Sequence, residues 1–282
     1  MAIILNTKIK EKLGHYFAFT KSLSFFQGTD LKDLYFESLP NDEQLALFKD
    51  NKFKIKYLAI KDTYQLSTNA PDYEILIKNY LNFCQKNNIA NLIIPMFDYA
   101  DFLQDLPQIT QLLNNLYLLE KKTKINLIIK PNFQNDLNIF HTLTNSVKTL
   151  KLFYSLEEMY LHNQSIVTNY RLLKNYLAII EINDLNEKNT PELLGYGALE
   201  IIEFFKKLNR DKYEGDILYT CNIYDLYKNS RKTNKFMAFF HPKRVRLRSS
   251  LQDKLDLNNQ DYAFDDLFLN QIKILKIMVK NL

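Results

Sequence analysis

The 282-residue chain is 46% apolar and 13% aromatic, enough to bury one large core or two small ones, and its net charge of +5 is too small to argue for a general nucleic-acid coat. No apolar run reaches the ~18 residues of a membrane helix. The opening MAIILNTKIKEKLGHYF also lacks the long apolar segment and small-residue cleavage site of a secretory signal, so a cytoplasmic protein without membrane contact is expected.

Met1 to Leu5 reads as a short apolar strand, and the helical pattern after it runs to about Phe26, closed by Gln27-Gly28-Thr29-Asp30. Leu34 to Ser38 is a second strand. Pro40-Asn41 then opens a helix in which Asn41 and Gln44 have the spacing of a capping box. Phe53 to Ile60 is a third strand, followed by a helix with Tyr73, Leu76, Ile77, Tyr80, Leu81 and Cys84 on one face. Asn91 to Met96 is the fourth strand. A helix with Ile109, Leu112, Leu113, Leu116 and Leu119 on one face leads to the fifth, Ile125 to Lys130. Leu150 to Tyr154, Leu177 to Ile182 and Asp216 to Cys221 are strands six to eight. A last helix over about 261–280 turns Phe268, Ile272, Leu275 and Met278 or Val279 inward. Cys84 on its helix and Cys221 on its strand form no CxxC and imply no disulfide in a reducing compartment.

Tyr176 to Cys221 contains a strand, a polar loop, a Gly-Tyr-Gly turn, an amphipathic helix and a second strand; a crossover of this length requires a parallel pair. Strands three, four, five and seven are nearly continuous apolar runs, the pattern of a sheet covered on both faces. Eight strands alternating with helices predict a single-domain (β/α)8 TIM barrel over residues 1–282. A doubly wound sheet is the rival, but no G-x-G-x-x-G turn occurs and the chain has only five glycines.

From the fifth strand onward the chain resembles the xylose-isomerase-like TIM-barrel superfamily, which holds sugar-phosphate isomerases and epimerases and type IV AP endonucleases. The residues that carry the resemblance are IIEIND at Ile179 to Asp184, ELLGYG at Glu192 to Gly197, and the helix leading into DKYEGDILYT; KYLAIKD and the loop containing Pro71 are similar to the family's third strand and the segment after it. The resemblance implies a divalent metal held by a Glu, an Asp of Asp-x-x-His, a His and a Glu at the ends of strands five to eight. Those places hold Lys130, Ser155 with Glu158, Glu181 and Thr220. A lysine brings positive charge and no acceptor, so the metal site is expected to be lost and no cofactor is expected. None of His15, His141, His162 and His241 is on an expected strand end; His15 reads as part of the first helix. Endonuclease chemistry is therefore not expected.

Working groups of such barrels project from the C-terminal strand ends. We expect the Lys130 ammonium to stand where the metal would be and to pair with Glu181 or Glu158, either as a working site or as an ion pair that merely replaces the lost one. In the first case Glu158 and Glu181 exchange a proton beside a sugar carbonyl while Lys130 stabilises the enediolate. A Schiff base on Lys130 is the other route, opposed by carboxylates that hold the amine protonated. Glu37 and Asp184 are further candidates for substrate binding. Residues 226–252 carry eight cations and no acid, and Arg244, Arg246 and Arg248 alternate with Val245 and Leu247, so they read as a phosphate site or as a solvated charge run. The expected partner is a small anionic carbohydrate, with a homodimer compatible with the aromatic surface and stacking of nucleic acid on Phe239-Phe240 not expected. A non-catalytic barrel whose basic segment recognises an anionic ligand or partner is the alternative.

Overall fold

The computed structural model describes residues 1–12, 15–61, 71–96, 102–133, 142–143, 147, 149–223 and 264–280. They divide into two compact units, one formed by Met1–Thr7, Leu31–Ile182 and Arg210–Tyr219, the other by Lys8–Asp30, Asn183–Asn209 and residues 220–282.

The first unit is a closed, all-parallel eight-stranded barrel, as expected of a (β/α)8 fold. Its strands are β1 (Ile3–Asn6), β4 (Asp33–Glu37), β5 (Lys54–Ala59), β6 (Asn91–Pro95), β7 (Asn126–Lys130), β8 (Leu152–Ser155), β9 (Leu177–Ile182) and β10 (Asp216–Tyr219), and β10 closes onto β1. Between them run α2 (Asp42–Asp50), α3 (Pro71–Lys86), α4 (Phe102–Thr123), α5 (Leu156–Leu161) and α6 (Ile166–Leu173). The eighth-strand expectation ran two residues too far, to Cys221; the sixth began two residues too early and stopped one short, since Ser155 extends β8 and then caps α5 by accepting the Glu158 N–H at 3.3 Å. The capping box of α2 is formed in full: Asn41 Oδ1 accepts the Gln44 N–H at 2.8 Å and Gln44 Oε1 accepts the Asn41 N–H at 3.0 Å. Asn41→Ala should therefore lower the unfolding free energy by about 1 kcal/mol, read by urea denaturation; no loss would show that the box adds nothing to the folded state.

The lumen can be assigned from one contact. Asp216 Oδ2 accepts the Tyr57 hydroxyl at 2.7 Å, although β10 and β5 are three places apart around the barrel, so both side chains enter the interior. Register partners share a face and successive residues alternate. Leu218 therefore faces inward with its partners Ile4 and Glu181, and Glu181 with Ser155. By the same rule Tyr57, Asn91 and Asn126 face inward, and Pro95 with Lys130, two turns of the pleat further on, does too. The opposite parity points Tyr154 out, where its hydroxyl donates to the Ile166 carbonyl on α6, and Phe36 out, against Phe48 of α2.

At the N-terminal ends of the strands a polar belt ties neighbours together. Lys151 Nζ donates to Asn126 Oδ1 at 2.7 Å, Asn126 Nδ2 to Asn91 Oδ1 at 2.9 Å, and Asn91 Nδ2 to the Lys56 carbonyl at 3.0 Å. Lys56 Nζ lies 2.7 Å from Asp216 Oδ2, and the Ala2 N–H donates to Asp216 Oδ1 at 2.7 Å. Burial, followed by the Asp216 carboxylate, pushes the Tyr57 hydroxyl far above the ordinary tyrosine pKa, so it stays a donor.

The second unit contains a short antiparallel hairpin of β2 (Lys10–Lys12) and β3 (His15–Tyr16), then α1 (Phe19–Gln27), α7, whose residues 201–209 belong here (Ile201–Arg210 in full), and α8 (Phe264–Lys280). The hairpin corrects the first-helix expectation: Ile9 alternates with Lys8 and Lys10 at strand period, and His15 is an exposed strand residue. Phe25 and Phe26 of α1 pack against Phe264 and Phe268 of α8, with ring centroids 4.7 to 6.4 Å apart.

Candidate functional site

The C-terminal mouth of the barrel, where folds of this kind keep their working groups, receives Lys130 from β7, Ser155 from β8 and Glu181 from β9 on three adjacent strands, all by inward parity. Lys130 and Glu181 are half-buried, and the Lys130 ammonium lies 5.6 Å from the centroid of the Phe153 ring, within cation–π range. Phe153 faces inward because it is in register with Ile179, itself in register with Asp216. The two strands that carry Lys130 and Glu181 flank β8, about 10 Å apart at the backbone, a gap that a lysine and a glutamate side chain can span. Glu37 ends β4 in register with Ala59, on the inward parity of Tyr57, and Asn6 ends β1 in register with inward Tyr35. The mouth residues Glu37, Lys130 and Glu181 thus share one lumen.

Two other expected residues are placed elsewhere. Glu158 sits in the first turn of α5 with its side chain 40% exposed and its carboxylate 3.6 Å from His162 Nε2. It belongs to a helix-surface pair rather than to the inward face of a strand. Asp184, in the second unit, is 2% exposed and its carboxylate is occupied by the backbone. It accepts N–H groups from Leu185 at 3.0 Å, Gly195 at 2.9 Å, Gly197 at 2.9 Å and Leu199 at 3.4 Å. Burial pushes its carboxyl above the ordinary aspartate pKa, against these four donors, which pull it down. A side chain with both oxygens so engaged organises the Gly-Tyr-Gly loop instead of meeting a substrate. The glycines are required: Gly195 has φ +85°, and a Cβ on Gly197 would come within 2.1 Å of Asp184 Oδ1.

Arg244, Arg246 and Arg248, the basic segment 226–252 with its Phe239-Phe240, His141 and His241 lie outside the described residues. Among the described residues no group of three His, Cys, Asp or Glu side chains is arranged to hold a metal ion, and no helix is long and apolar enough to cross a membrane. Sequence reasoning missed Phe153 and Asn6. Both belong to apolar or short strands whose inward face is unreadable until the register is known.

No protein-family model and no curated protein matches the sequence. Solved structures do match in fold. An L-ribulose 3-epimerase superposes with a TM-score of 0.65 at 10% identity, covering 99% of this chain and 95% of its own. The D-psicose 3-epimerase of Clostridium cellulolyticum H10 gives 0.60 at 13% identity, covering 79% and 86%, and a family 2 AP endonuclease of Brucella melitensis gives 0.62 at 10% identity, covering 78% and 93%. The class defined here is a closed parallel (β/α)8 barrel with a charged mouth. Its barrel fold is shared with these two epimerases and this endonuclease, at 10 to 13% identity.

Proposed function

We propose that the protein is a divergent, metal-independent sugar isomerase or epimerase whose barrel mouth takes a small phosphorylated sugar. The observation that carries the reading is the inward placement of Lys130 and Glu181 from strands on either side of β8. The places where the resemblance implies a metal hold Lys130, Ser155 with Glu158, Glu181 and Thr220; with the Glu158 carboxylate 3.6 Å from His162 Nε2 on its own helix, one carboxylate, Glu181, is left beside the ammonium. A divalent ion does not fit beside that ammonium, which repels it and offers no lone pair. The ammonium serves instead as the fixed positive charge. Glu181 removes the proton from the carbon next to the sugar carbonyl, Lys130 stabilises the developing enediolate by hydrogen bonding and charge, and Glu181 returns the proton to the adjacent carbon while the hydroxyl proton passes between the two enediolate oxygens, which interconverts ketose and aldose; epimerisation at the same carbon needs a second acid on the opposite face, the role of Glu158. Glu158 reaches this chemistry only by turning away from His162. Arg244, Arg246 and Arg248 are the sequence's candidates for recognising a phosphate, for which a bidentate guanidinium is suited.

The reading is tested by thermal shift and isomerisation assays with paired free and phosphorylated ketoses and aldoses. Wild type should be stabilised by at least one pair and Lys130→Met should lose the shift and the turnover, with its own unfolding temperature little changed. Replacing the three arginines by alanine should remove the preference for the phosphorylated member alone. Stoichiometric metal in the purified protein would overturn the metal-independent reading, and no response to any sugar would favour the non-catalytic interaction barrel.

A further inference from the structure

Strand β8 runs between the strands that carry Lys130 and Glu181, and it raises a buried ring, Phe153, into the lumen. Ile129 of β7 is in register with Leu152 of β8, so the next residues along the two strands, Lys130 and Phe153, are neighbours on the inward face. Ser155, one pleat nearer the mouth, is level with Glu181. The ring therefore lies below the gap between ammonium and carboxylate, with its centroid 5.6 Å from Lys130 Nζ. A lysine ends in a compact charge on a flexible four-carbon stem, so something outside the side chain must fix where the charge stands. An ion pair with Glu181 would do so at the expense of the base, because a neighbouring cation makes a carboxylate less ready to take a proton. A ring face attracts the cation through its quadrupole and accepts no proton, which leaves N–H groups for an oxygen of the substrate. Phe153 is 2% exposed, and a cation–π contact is strongest where water is excluded.

We propose that Phe153 is the positioning residue of the mouth: its ring face holds the Lys130 ammonium in the lumen, so that part of the hold on this charge comes from packing and not from the carboxylate that acts as base. The inference rests on the reading of Lys130 as the fixed positive charge that stabilises the enediolate. Phe153 touches no reacting atom in this scheme. It acts through Lys130, by setting where the charge stands before the substrate arrives, and a charge already in place costs no reorganisation when the enediolate forms.

The test reads position and reaction separately, in the full-length protein. With isotope-labelled lysine, the methylene protons beside the Lys130 ammonium should resonate upfield of those of exposed lysines, because a ring face shields what sits over it. Their signal is identified by its absence in Lys130→Met, and Phe153→Leu should lose the upfield shift. Ring-fluorinated phenylalanines placed at position 153 keep the shape of the ring but draw charge from its face, so the unfolding temperature should stay close to that of wild type. Across that series the upfield shift should shrink with each fluorine as the ammonium leaves the ring. With the sugar pair that responds in the assays above, kcat should fall in step, by roughly tenfold in all, while KM changes little. A ring that only fills space would leave both readouts flat. No upfield shift in wild type, or a shift and kcat that are flat across the fluorinated series, overturns the inference. A shift that shrinks as expected without any response to sugars upholds the placement of the ammonium and removes the proposed reaction, whereas turnover without the shift removes the placement alone.

Discussion

Asp216→Ala should lower the unfolding free energy by about 2 kcal/mol or more, the cost of leaving the buried Tyr57 hydroxyl without its acceptor and of taking from the half-buried Lys56 ammonium its nearer carboxylate, Asp33 being 3.8 Å away. The carboxylate receives the Tyr57 hydroxyl, the Lys56 ammonium and the Ala2 N–H, each at 2.7 Å, while its side chain is 12% exposed. It therefore joins β10 to β1 beside it and to β5 across the lumen, at the end of the barrel opposite the mouth. Residues at that end of such barrels set stability rather than chemistry. The variant should accordingly keep its response to sugars under conditions where it remains folded. Urea denaturation followed by circular dichroism reads the first expectation. A loss under about 1 kcal/mol would mean that water replaces the carboxylate and that the belt does not tie the strands.

Asp184→Ala is expected to cost about as much, because four backbone N–H groups, two buried and two part-buried, lose their acceptor at once and each charge-assisted bond of this kind contributes about 1.5 kcal/mol or more. The pH dependence gives a second readout. Since burial raises the carboxyl above its unfolded value of 3.8, the folded chain holds the proton more tightly than the unfolded one. The contribution of Asp184 is then complete below the unfolded pKa and declines as pH rises through the raised folded value. The stability gap between wild type and Asp184→Ala should widen as the pH is lowered from 7 toward 4. A gap that narrows on acidification would show that the four donors outweigh burial. A variant with unchanged stability but lost ligand response would return Asp184 to the substrate site.

These two aspartates show how differently a sequence can be read at two strand ends. Asp184 follows an apolar strand in a stretch that resembles a sugar-isomerase barrel, which made it a substrate-binding candidate. The signal for its actual role was present eleven and thirteen residues later in Gly195 and Gly197, but a carboxylate that clamps glycine N–H groups and one that meets a ligand look alike until the loop is folded. Asp216 opens the last strand, and nothing local links it to Tyr57, which is 159 residues away.

Local sequence was enough to specify the strand and helix alternation, the closed parallel barrel it implies, and the capping box of α2, because each comes from short-range periodicity or from side-chain to backbone bonds within a few residues. It could not specify which face of each strand enters the lumen. Nearly continuous apolar runs such as NLIIP and NLIIK have no period-2 signal, so the inward direction of Lys130 and the place of Phe153 near it depend on register across strands. The first helix was overdrawn for the complementary reason: the β2 and β3 hairpin is held by pairing between segments, which periodicity within one segment does not report. The polar belt and the Asp184 clamp emerge only from the folded chain, since each is made by residues distant in sequence whose meeting is set by packing.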